Sequence, residues 1–216
     1  CLHRPFKVGS FNAPIPGMSP GIITNDGKDV EVNQMGELIM RKSSIGLTKS
    51  LWGDDDRYIN NYWTVIKNFW VHGDLASRDK DGHWYLHGRS DDTIKVSGKR
   101  IGPSELESVV VKSGKVKEVA AVGIPDENKG SKIILSIVPL AEKNELKADF
   151  FADLIIKDLG KSFKPDKIIF VKDLPKTRNM KIMRRVIKSC LTNEDPGDVS
   201  TLLNPESVEE IKQHAI

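Results

Sequence analysis

The sequence predicts an α+β protein in which a β-rich part is followed by a small mixed domain of about three strands and three helices. Glycine, proline and short apolar runs fill the first 50 residues, whereas helical periodicity alternates with β-branched runs after residue 102. Every Trp and Tyr lies between Trp52 and Tyr85, and the only aromatic residues that follow are Phe. This shift in composition predicts a domain boundary near Asp91. The predicted parts are residues 1–90, 91–193 and a tail, 194–216.

The β-rich part is predicted from its turns. Residues 25–28 read Asn-Asp-Gly-Lys between two apolar runs, which is typical of a hairpin. A further strand is expected over residues 37–40, directly after Gly36. Residues 79–82, Asp-Lys-Asp-Gly, would join two more strands.

The small domain begins with a helix at residues 102–104, Gly-Pro-Ser, because proline is tolerated in a first helical turn. This helix is expected to bury Leu106, Val109 and Val110, and strands over 116–123 and 132–139 should follow it. Next come a helix over 145–159, with Leu146, Phe150, Leu154 and Ile155 inward, and a strand over 167–171. The last helix would be capped by Asn179 and would bury Ile182, Val186, Ile187 and Cys190. The tail is expected to be polar, with one short helix.

Composition excludes several classes of protein. A content of 38% hydrophobic and 29% charged residues is ordinary for a soluble globular chain. No apolar run approaches the ~20 residues of a membrane span, and no signal peptide is visible, so a cytoplasmic location is expected. The net charge of +3 is small beside 33 basic and 30 acidic residues, and nucleic-acid binding is therefore not expected. Cys1 and Cys190 are too few for a disulfide framework or a zinc site.

Two possible metal clusters have simpler explanations. The acidic run at residues 54–56 suits the positive end of a helix and matches no calcium-loop spacing. His83 and His87 would share one face of a strand, but further zinc ligands are not found beside them.

The most informative stretch is residues 72–102, which read HGDLASRDKDGHWYLHGRSDDTIKVSGKRIG. It brings carboxylates and guanidinium groups close to backbone bends. A carboxylate accepts hydrogen bonds from a ribose diol, and an arginine fork matches phosphate oxygens. The stretch therefore predicts a nucleotide site.

This stretch and residues 175–185, PKTRNMKIMRR, resemble the carboxyl-terminal part of the acyl- and aryl-CoA synthetases, a superfamily of adenylate-forming enzymes. Within it the chain most resembles acetyl-CoA synthetases, because the similarity continues through residues 51–54, Leu-Trp-Gly-Asp, and 198–202, Asp-Val-Ser-Thr-Leu. The motifs occur in the family's order and spacing over nearly the whole chain.

The resemblance implies a fold and a reaction. Residues 1–90 would be a remnant of a β-barrel subdomain, and residues 91–193 a mobile lid domain. The intact enzyme would form an acyl-adenylate from ATP and acetate or another small carboxylic acid, with magnesium, and then pass the acyl group to coenzyme A. Because the chain opens on Cys1 rather than methionine, an amino-terminal adenylating domain is expected to be missing, and the chain alone is expected to be inactive.

The resemblance also implies roles for particular residues. Lys181 matches the catalytic lysine, although most relatives have glycine where this chain has Met180. Asp74 matches the aspartate that holds the ribose hydroxyls, while Arg89 and Arg100 match nucleotide contacts. Asp91 matches the hinge at which the small domain swings.

Further matches concern coenzyme A and a metal ion. Ser97 and Gly98 match a turn that faces coenzyme A, and Lys157 lies beside Ile156, where the family has an arginine. Backbone carbonyls of Val111, Ser113 and Val116 match a magnesium-like site, with Ser113 in place of the usual histidine.

Two other functions remain open from the sequence. The chain could belong to another acyl- or aryl-CoA ligase or to an adenylation domain that loads a carrier protein. It could also be a stand-alone module that binds nucleotide, coenzyme A or nucleic acid, for which the basic run over residues 176–188 is the best support.

Overall fold

The computed structural model describes residues 5–140 and 146–216. Cys1, and residue 145 at the start of the second predicted helix of the small domain, lie outside these ranges. The chain divides into two compact units between Asp91 and Asp92. Each unit has its own sheet and its own core.

The first unit is built on an open, antiparallel, four-stranded sheet in the order β1-β2-β3-β4. One helix, α1, lies between β2 and β3 in the sequence. The elements are β1 (Pro20–Ile23), β2 (Gly36–Met40), α1 (Asp55–Tyr62), β3 (Trp70–Arg78) and β4 (Trp84–Arg89). Strands that follow one another in the sequence pair throughout, although α1 lies in the long connection between β2 and β3.

Local chemistry explains the helix and the last turn of this unit. The Asp54 carboxylate accepts a hydrogen bond from the Arg57 amide at 3.1 Å, so the acidic run opens α1. In the β3–β4 connection the Asp79 amide donates to the His83 carbonyl, while Gly82 adopts a φ of 83°. A turn of this kind needs glycine at the left-handed position.

The second unit is a three-layer arrangement of sheet and helices. The sheet order is β7-β8-β9, with β7 antiparallel and β9 parallel to β8, and β5 and β6 form a separate hairpin. The elements are β5 (Ile94–Val96), β6 (Lys99–Ile101), α2 (Pro103–Lys112), β7 (Val116–Asp126), β8 (Gly130–Pro139), α3 (Ala148–Leu159), β9 (Lys167–Phe170), α4 (Arg184–Thr192) and α5 (Glu206–Lys212).

The alternation of side chains along the strands divides the core of this unit in two. Val119 and Leu135 pack with α2 and α3 on one face, whereas Ala120 and Ile134 pack with α4 and α5 on the other. Three helices were predicted for residues 91–193 and one short helix for the tail, and the described part of the unit has four α-helices, α2 to α5. The tail was expected to be polar, but Val208 and Ile211 of α5 are buried in the second core.

Two details of the predicted helices were wrong. In α3 the buried aromatic residue is Phe151, while Phe150 is 37% exposed and lies under the Lys115 ammonium. Asn179 does not cap a helix, since α4 begins at Arg184 after Met183. When two Phe residues are adjacent, helical periodicity does not show which of them faces the core.

Residues 177–181 form a tight hairpin instead. The Thr177 amide donates to the Lys181 carbonyl at 2.9 Å, and the Met180 amide donates to the Thr177 carbonyl at 2.8 Å. Met180 has a φ of 62°, the left-handed conformation that closes a three-residue hairpin loop. This conformation explains why glycine suits the position, and Met180 occupies it at a steric cost.

A buried ammonium anchors the base of this hairpin. Lys176 is 4% exposed, and its Nζ lies 2.6 Å from both Glu118 Oε2 and Asp173 Oδ1. Burial alone would lower the pKa of Lys176, but its hydrogen bonds to Asp173 and Glu118 outweigh burial and raise it. The lysine therefore stays charged inside the unit.

Replacing Met180 by glycine should stabilise the second unit. Met180 is 60% exposed, so little buried area is lost, and relief of the left-handed strain minus the extra chain entropy of glycine leaves about 0.5–1 kcal/mol. Urea denaturation followed by circular dichroism measures the change. Asn179→Gly is the matched control, because φ at Asn179 is not positive; equal effects of the two variants would contradict the strain.

Replacing Lys176 by methionine should destabilise the second unit. Two carboxylates would lose their shared partner, and since both are partly exposed we expect a loss of about 2 kcal/mol, below the range for a fully buried pair. The urea midpoint reports it. Lys172→Met removes an exposed lysine of the same segment and should change the midpoint little; a Lys176→Met midpoint equal to it would show that the ion pairs do not contribute.

Candidate functional site

Asp74 and Arg89 face each other across two strands of the first unit. They are register partners in β3 and β4, and Arg89 Nη1 lies 3.6 Å from Asp74 Oδ1. His72 Nδ1 lies 2.9 Å from the other carboxylate oxygen. The side chain of Asp74 is 17% exposed and that of Arg89 53% exposed. An acceptor for hydroxyls and a donor for phosphate thus lie side by side.

The backbone bends sharply beneath this pair. Gly73 has a φ of 82°, and a Cβ at this position would lie 2.8 Å from Arg89 Nη2. A larger residue would strain the backbone and push the guanidinium away from Asp74. Glycine at position 73 therefore suits both the left-handed backbone and the close approach of Arg89.

A buried acid supports the same corner. Ser90 Oγ donates to Glu37 Oε1 at 3.1 Å, and Glu37 is 9% exposed. Burial raises the pKa of Glu37, against hydrogen bonds from Ser90 and from the Gly73 backbone that lower it. An open cavity of about 350 Å³ lies here, lined among others by Glu37, Tyr62, His72 and Arg89. Glu37 was not among the site residues predicted from the sequence, although a charged residue beside an apolar run is a signal that could have indicated it.

Asp91 is the last residue of the first unit. Its side chain is 71% exposed, and its Oδ1 lies 3.2 Å from Arg89 Nε. Arg89 also donates to the His72 carbonyl at 3.3 Å. The structure thus brings Asp74, Arg89 and Asp91 together around one guanidinium group.

Ser97, Gly98 and Arg100 lie on one hairpin of the second unit. Val96 pairs with Lys99, and the two loop residues have φ angles of 49° and 80°, as in a type I′ turn. The Ser97 amide donates to the Lys129 carbonyl at 2.8 Å. Arg100 of β6, which pairs with Lys95 of β5, is exposed. The hydrogen bond to Lys129, a residue outside the hairpin, thus stabilises the conformation of this loop.

Lys181 is exposed at the end of its own hairpin. Its backbone amide donates to Thr177 Oγ1 at 3.2 Å. The structure gives its ammonium no hydrogen bond or ion pair with the residues of the ranges 5–140 and 146–216. A fixed backbone and a solvated charge are what an anionic ligand requires.

The remaining candidates are spread over the second unit. Lys157 is exposed on α3 beside the half-buried Ile156. Ser113 ends α2, and the Val111 carbonyl accepts a hydrogen bond from the Gly114 amide at 3.0 Å. Val116 begins β7. These carbonyls lie near the negative end of a helix, where a cation is favoured.

The possible zinc ligands have other partners. His87 Nε2 lies 2.8 Å from Ser77 Oγ, and His83 Nε2 lies 3.0 Å from the Pro5 carbonyl. Within the described ranges, no three His, Cys, Asp or Glu side chains are grouped as a metal would need. No helix in those ranges is long and apolar enough to cross a membrane.

Known sequences are similar to this chain in two ways, over part of the second unit and over nearly the whole chain. Residues 105–181 match the family described as AMP-binding enzyme C-terminal domain. The acetyl-coenzyme A synthetase of Methanothrix soehngenii is 38% identical over 216 residues, which cover 96% of this chain and 32% of that protein. The acetyl-coenzyme A synthetase of Escherichia coli is 36% identical, over 95% of this chain and 32% of that protein. The chain thus spans about a third of the length of these relatives.

Solved structures show the same fold. The acetoacetyl-CoA synthetase from Streptomyces lividans superposes with a TM-score of 0.83 over 95% of this chain and 32% of that one, at 22% identity. An anthranilate CoA ligase solved with anthranoyl-AMP is 28% identical and has a TM-score of 0.71 over 85% of this chain and 35% of its own. Residues 105–181 are therefore similar to AMP-binding enzyme C-terminal domains, and nearly the whole chain is similar to about a third of the acetyl-CoA synthetases.

Proposed function

We propose that this chain is the carboxyl-terminal part of an AMP-forming acetate–CoA ligase. The observation that carries the proposal is Lys181, the last residue of the matched family region, which is exposed on a hairpin held by backbone hydrogen bonds. The adenylating domain that completes such an enzyme would be the part of the relatives that this chain does not cover. The carboxylate pocket, the ATP-phosphate loop and the adenine pocket would lie there.

The reaction has two displacement steps. An acetate oxygen attacks the α-phosphorus of ATP, which forms acetyl-adenylate and releases pyrophosphate. The thiol of coenzyme A, as thiolate, then attacks the acetyl carbon and releases AMP. The first step brings two anions together, so fixed positive charge and positioning contribute more than a general base.

Lys181 would supply that positive charge. Its ammonium is compact and can contact an acetate oxygen and an α-phosphate oxygen together. The charge on the phosphate oxygens grows as the new bond forms, and an ammonium held in place stabilises it without reorganisation.

Asp74 and Arg89 would hold the nucleotide. The Asp74 carboxylate can accept hydrogen bonds from two ribose hydroxyls, and the Arg89 guanidinium can donate to phosphate oxygens. Arg100 would provide a further phosphate contact. The support is the 3.6 Å approach of Asp74 and Arg89 on adjacent strands and the cavity beside them.

Asp91 would be the hinge at which the small domain swings between the two reaction steps, because the first unit ends at this residue. Ser97 and Gly98, in the type I′ turn, would face coenzyme A, and the exposed Lys157 would contact its nucleotide phosphates. ATP and coenzyme A are accordingly the proposed ligands of the intact enzyme, in the cytoplasm.

Magnesium would accompany ATP and neutralise its phosphate charge. The carbonyls of Val111, Ser113 and Val116 could hold a further ion of this kind, since hard cations prefer oxygen ligands. The chemistry proposed for Lys181, Asp74 and Arg89 does not depend on that second ion.

Nucleic-acid binding receives less support from the basic run than its sequence suggested. Lys176 is buried against two carboxylates, and Arg184 donates to both oxygens of Glu107 at 2.9 and 2.8 Å. These cations are already neutralised within the unit. A ligase for another small acid remains the alternative, because the acid pocket would lie in the part of the relatives outside this chain.

A chimeric enzyme tests the proposal. This chain would replace the matching third of the Escherichia coli acetyl-coenzyme A synthetase, and acetate-dependent ATP–pyrophosphate exchange would report adenylation. We expect Lys181→Ala to lower exchange by about a hundredfold or more, since it removes the positive charge that the transition state needs. Thioester formation from supplied acetyl-adenylate should stay within about threefold.

Lys188→Ala, an exposed lysine of α4, is the matched control and should leave both steps unchanged. Equal loss of both steps in Lys181→Ala would mean that the lysine has another role. A folded chimera that forms neither adenylate nor thioester would contradict the proposal as a whole.

A further inference from the structure

The hairpin that carries Lys181 is paired with the carboxyl-terminal tail. The Arg178 amide donates to the Thr201 carbonyl at 3.2 Å, and the Leu203 amide donates to the Lys176 carbonyl at 2.8 Å. Thr177 and Leu202 form an antiparallel bridge, as do Lys176 and Ile182 on the other side. Tail residues 201–203 thus run antiparallel to the first arm of the hairpin and are joined to it by one bridge and two backbone hydrogen bonds.

Asn204 is the centre of this pairing. It is 7% exposed, and its Oδ1 accepts a hydrogen bond from the Lys176 amide at 3.0 Å. Its Nδ2 donates to the Leu174 carbonyl at 2.8 Å and to Asp173 Oδ2 at 2.7 Å. One side chain therefore binds the backbone on both sides of Pro175 and the carboxylate that holds Lys176.

The core keeps Asn204 in place. Its carbonyl accepts hydrogen bonds from the amide and hydroxyl of Ser207 at the start of α5. Val208 and Ile211 of α5 are 8% and 0% exposed in the core beneath the sheet. The buried helix α5 therefore holds Asn204 in place, and Asn204 in turn holds the base of the hairpin.

We infer that the tail is a brace for adenylation, and that Asn204 is a positioning residue that sets where Lys181 stands. The hydrogen bonds within a hairpin of this length fix its local shape but not its direction relative to the rest of the unit. The backbone pairing with residues 201–203 and the Asn204 side chain fix that direction. A solvated lysine has four rotatable bonds, so its reach is defined only if its Cα is held.

The inference rests on the proposed role of Lys181, and it predicts a selective defect. Loss of the brace should impair the step that uses Lys181 and spare the one that does not. A shift of about 1 Å in a catalytic group can cost on the order of a hundredfold in rate, so a visible effect is expected while the unit remains folded.

Asn204→Ala in the chimera is the test of catalysis. We expect kcat of adenylation to fall about tenfold to a hundredfold, with the KM for ATP and the rate of thioester formation within about twofold. Val110→Ala, in the core on the opposite face of the sheet, is the matched control: it destabilises the same unit but should leave both steps nearly unchanged. An Asn204→Ala enzyme with unaltered adenylation, or with adenylation and thioester formation reduced equally, would overturn the inference.

Amide hydrogen exchange on this chain alone is the test of structure. In Asn204→Ala the Arg178 and Leu203 amides, which connect hairpin and tail, should exchange about tenfold faster or more, while amides in β7 and β8 keep their protection. Unchanged protection at both sites would overturn the brace even if the chimera forms no adenylate, so failure of the proposed function is recognised separately. Should Asn204→Ala fail to fold, Asn204→Asp retains the side-chain volume and places a carboxylate against Asp173, and the same selective loss is expected.

Discussion

A charged side chain in water has no fixed position unless its backbone is held, and this constraint governs both units. In the second unit the backbone near Lys181 is held by a buried ammonium, since Lys176 lies between Glu118 and Asp173 at 2.6 Å from each. Because the ammonium is buried and paired with both carboxylates, it keeps the base of the hairpin in place. The ammonium of Lys181, five residues later, can remain solvated and still reach a defined place.

In the first unit the pairing register of the strands holds the backbone of the charged residues. Asp74 and Arg89 are opposite each other on β3 and β4, and Gly73 leaves room for the guanidinium to approach. Glu37 holds Ser90, the residue between Arg89 and Asp91. Asp74 and Arg89 are therefore carried by strands rather than by free loops, which limits the entropy lost when a ligand binds.

Much of the local structure followed from the sequence. The helix at Pro103 was predicted with its buried residues, and the two strands that follow were predicted from their β-branched runs, because these signals act over a few residues. The strained turn at Met180 was indicated only by its departure from the glycine of relatives. The choice between Phe150 and Phe151 failed because both fit the same helical period.

The sequence by itself determined the resemblance to adenylate-forming enzymes, the order of the elements and the identity of the candidate residues, since these depend on motifs and on contacts between near neighbours. Only the tertiary structure decided which cations are available. It buried Lys176, paired Arg184 with Glu107 and left Lys181 exposed, although all three belong to one basic run. It also turned an apparently polar tail into part of the core and a partner of the hairpin. The physical reason is that burial and pairing join residues far apart in the chain, so local composition cannot show which charge is neutralised and which remains free to act.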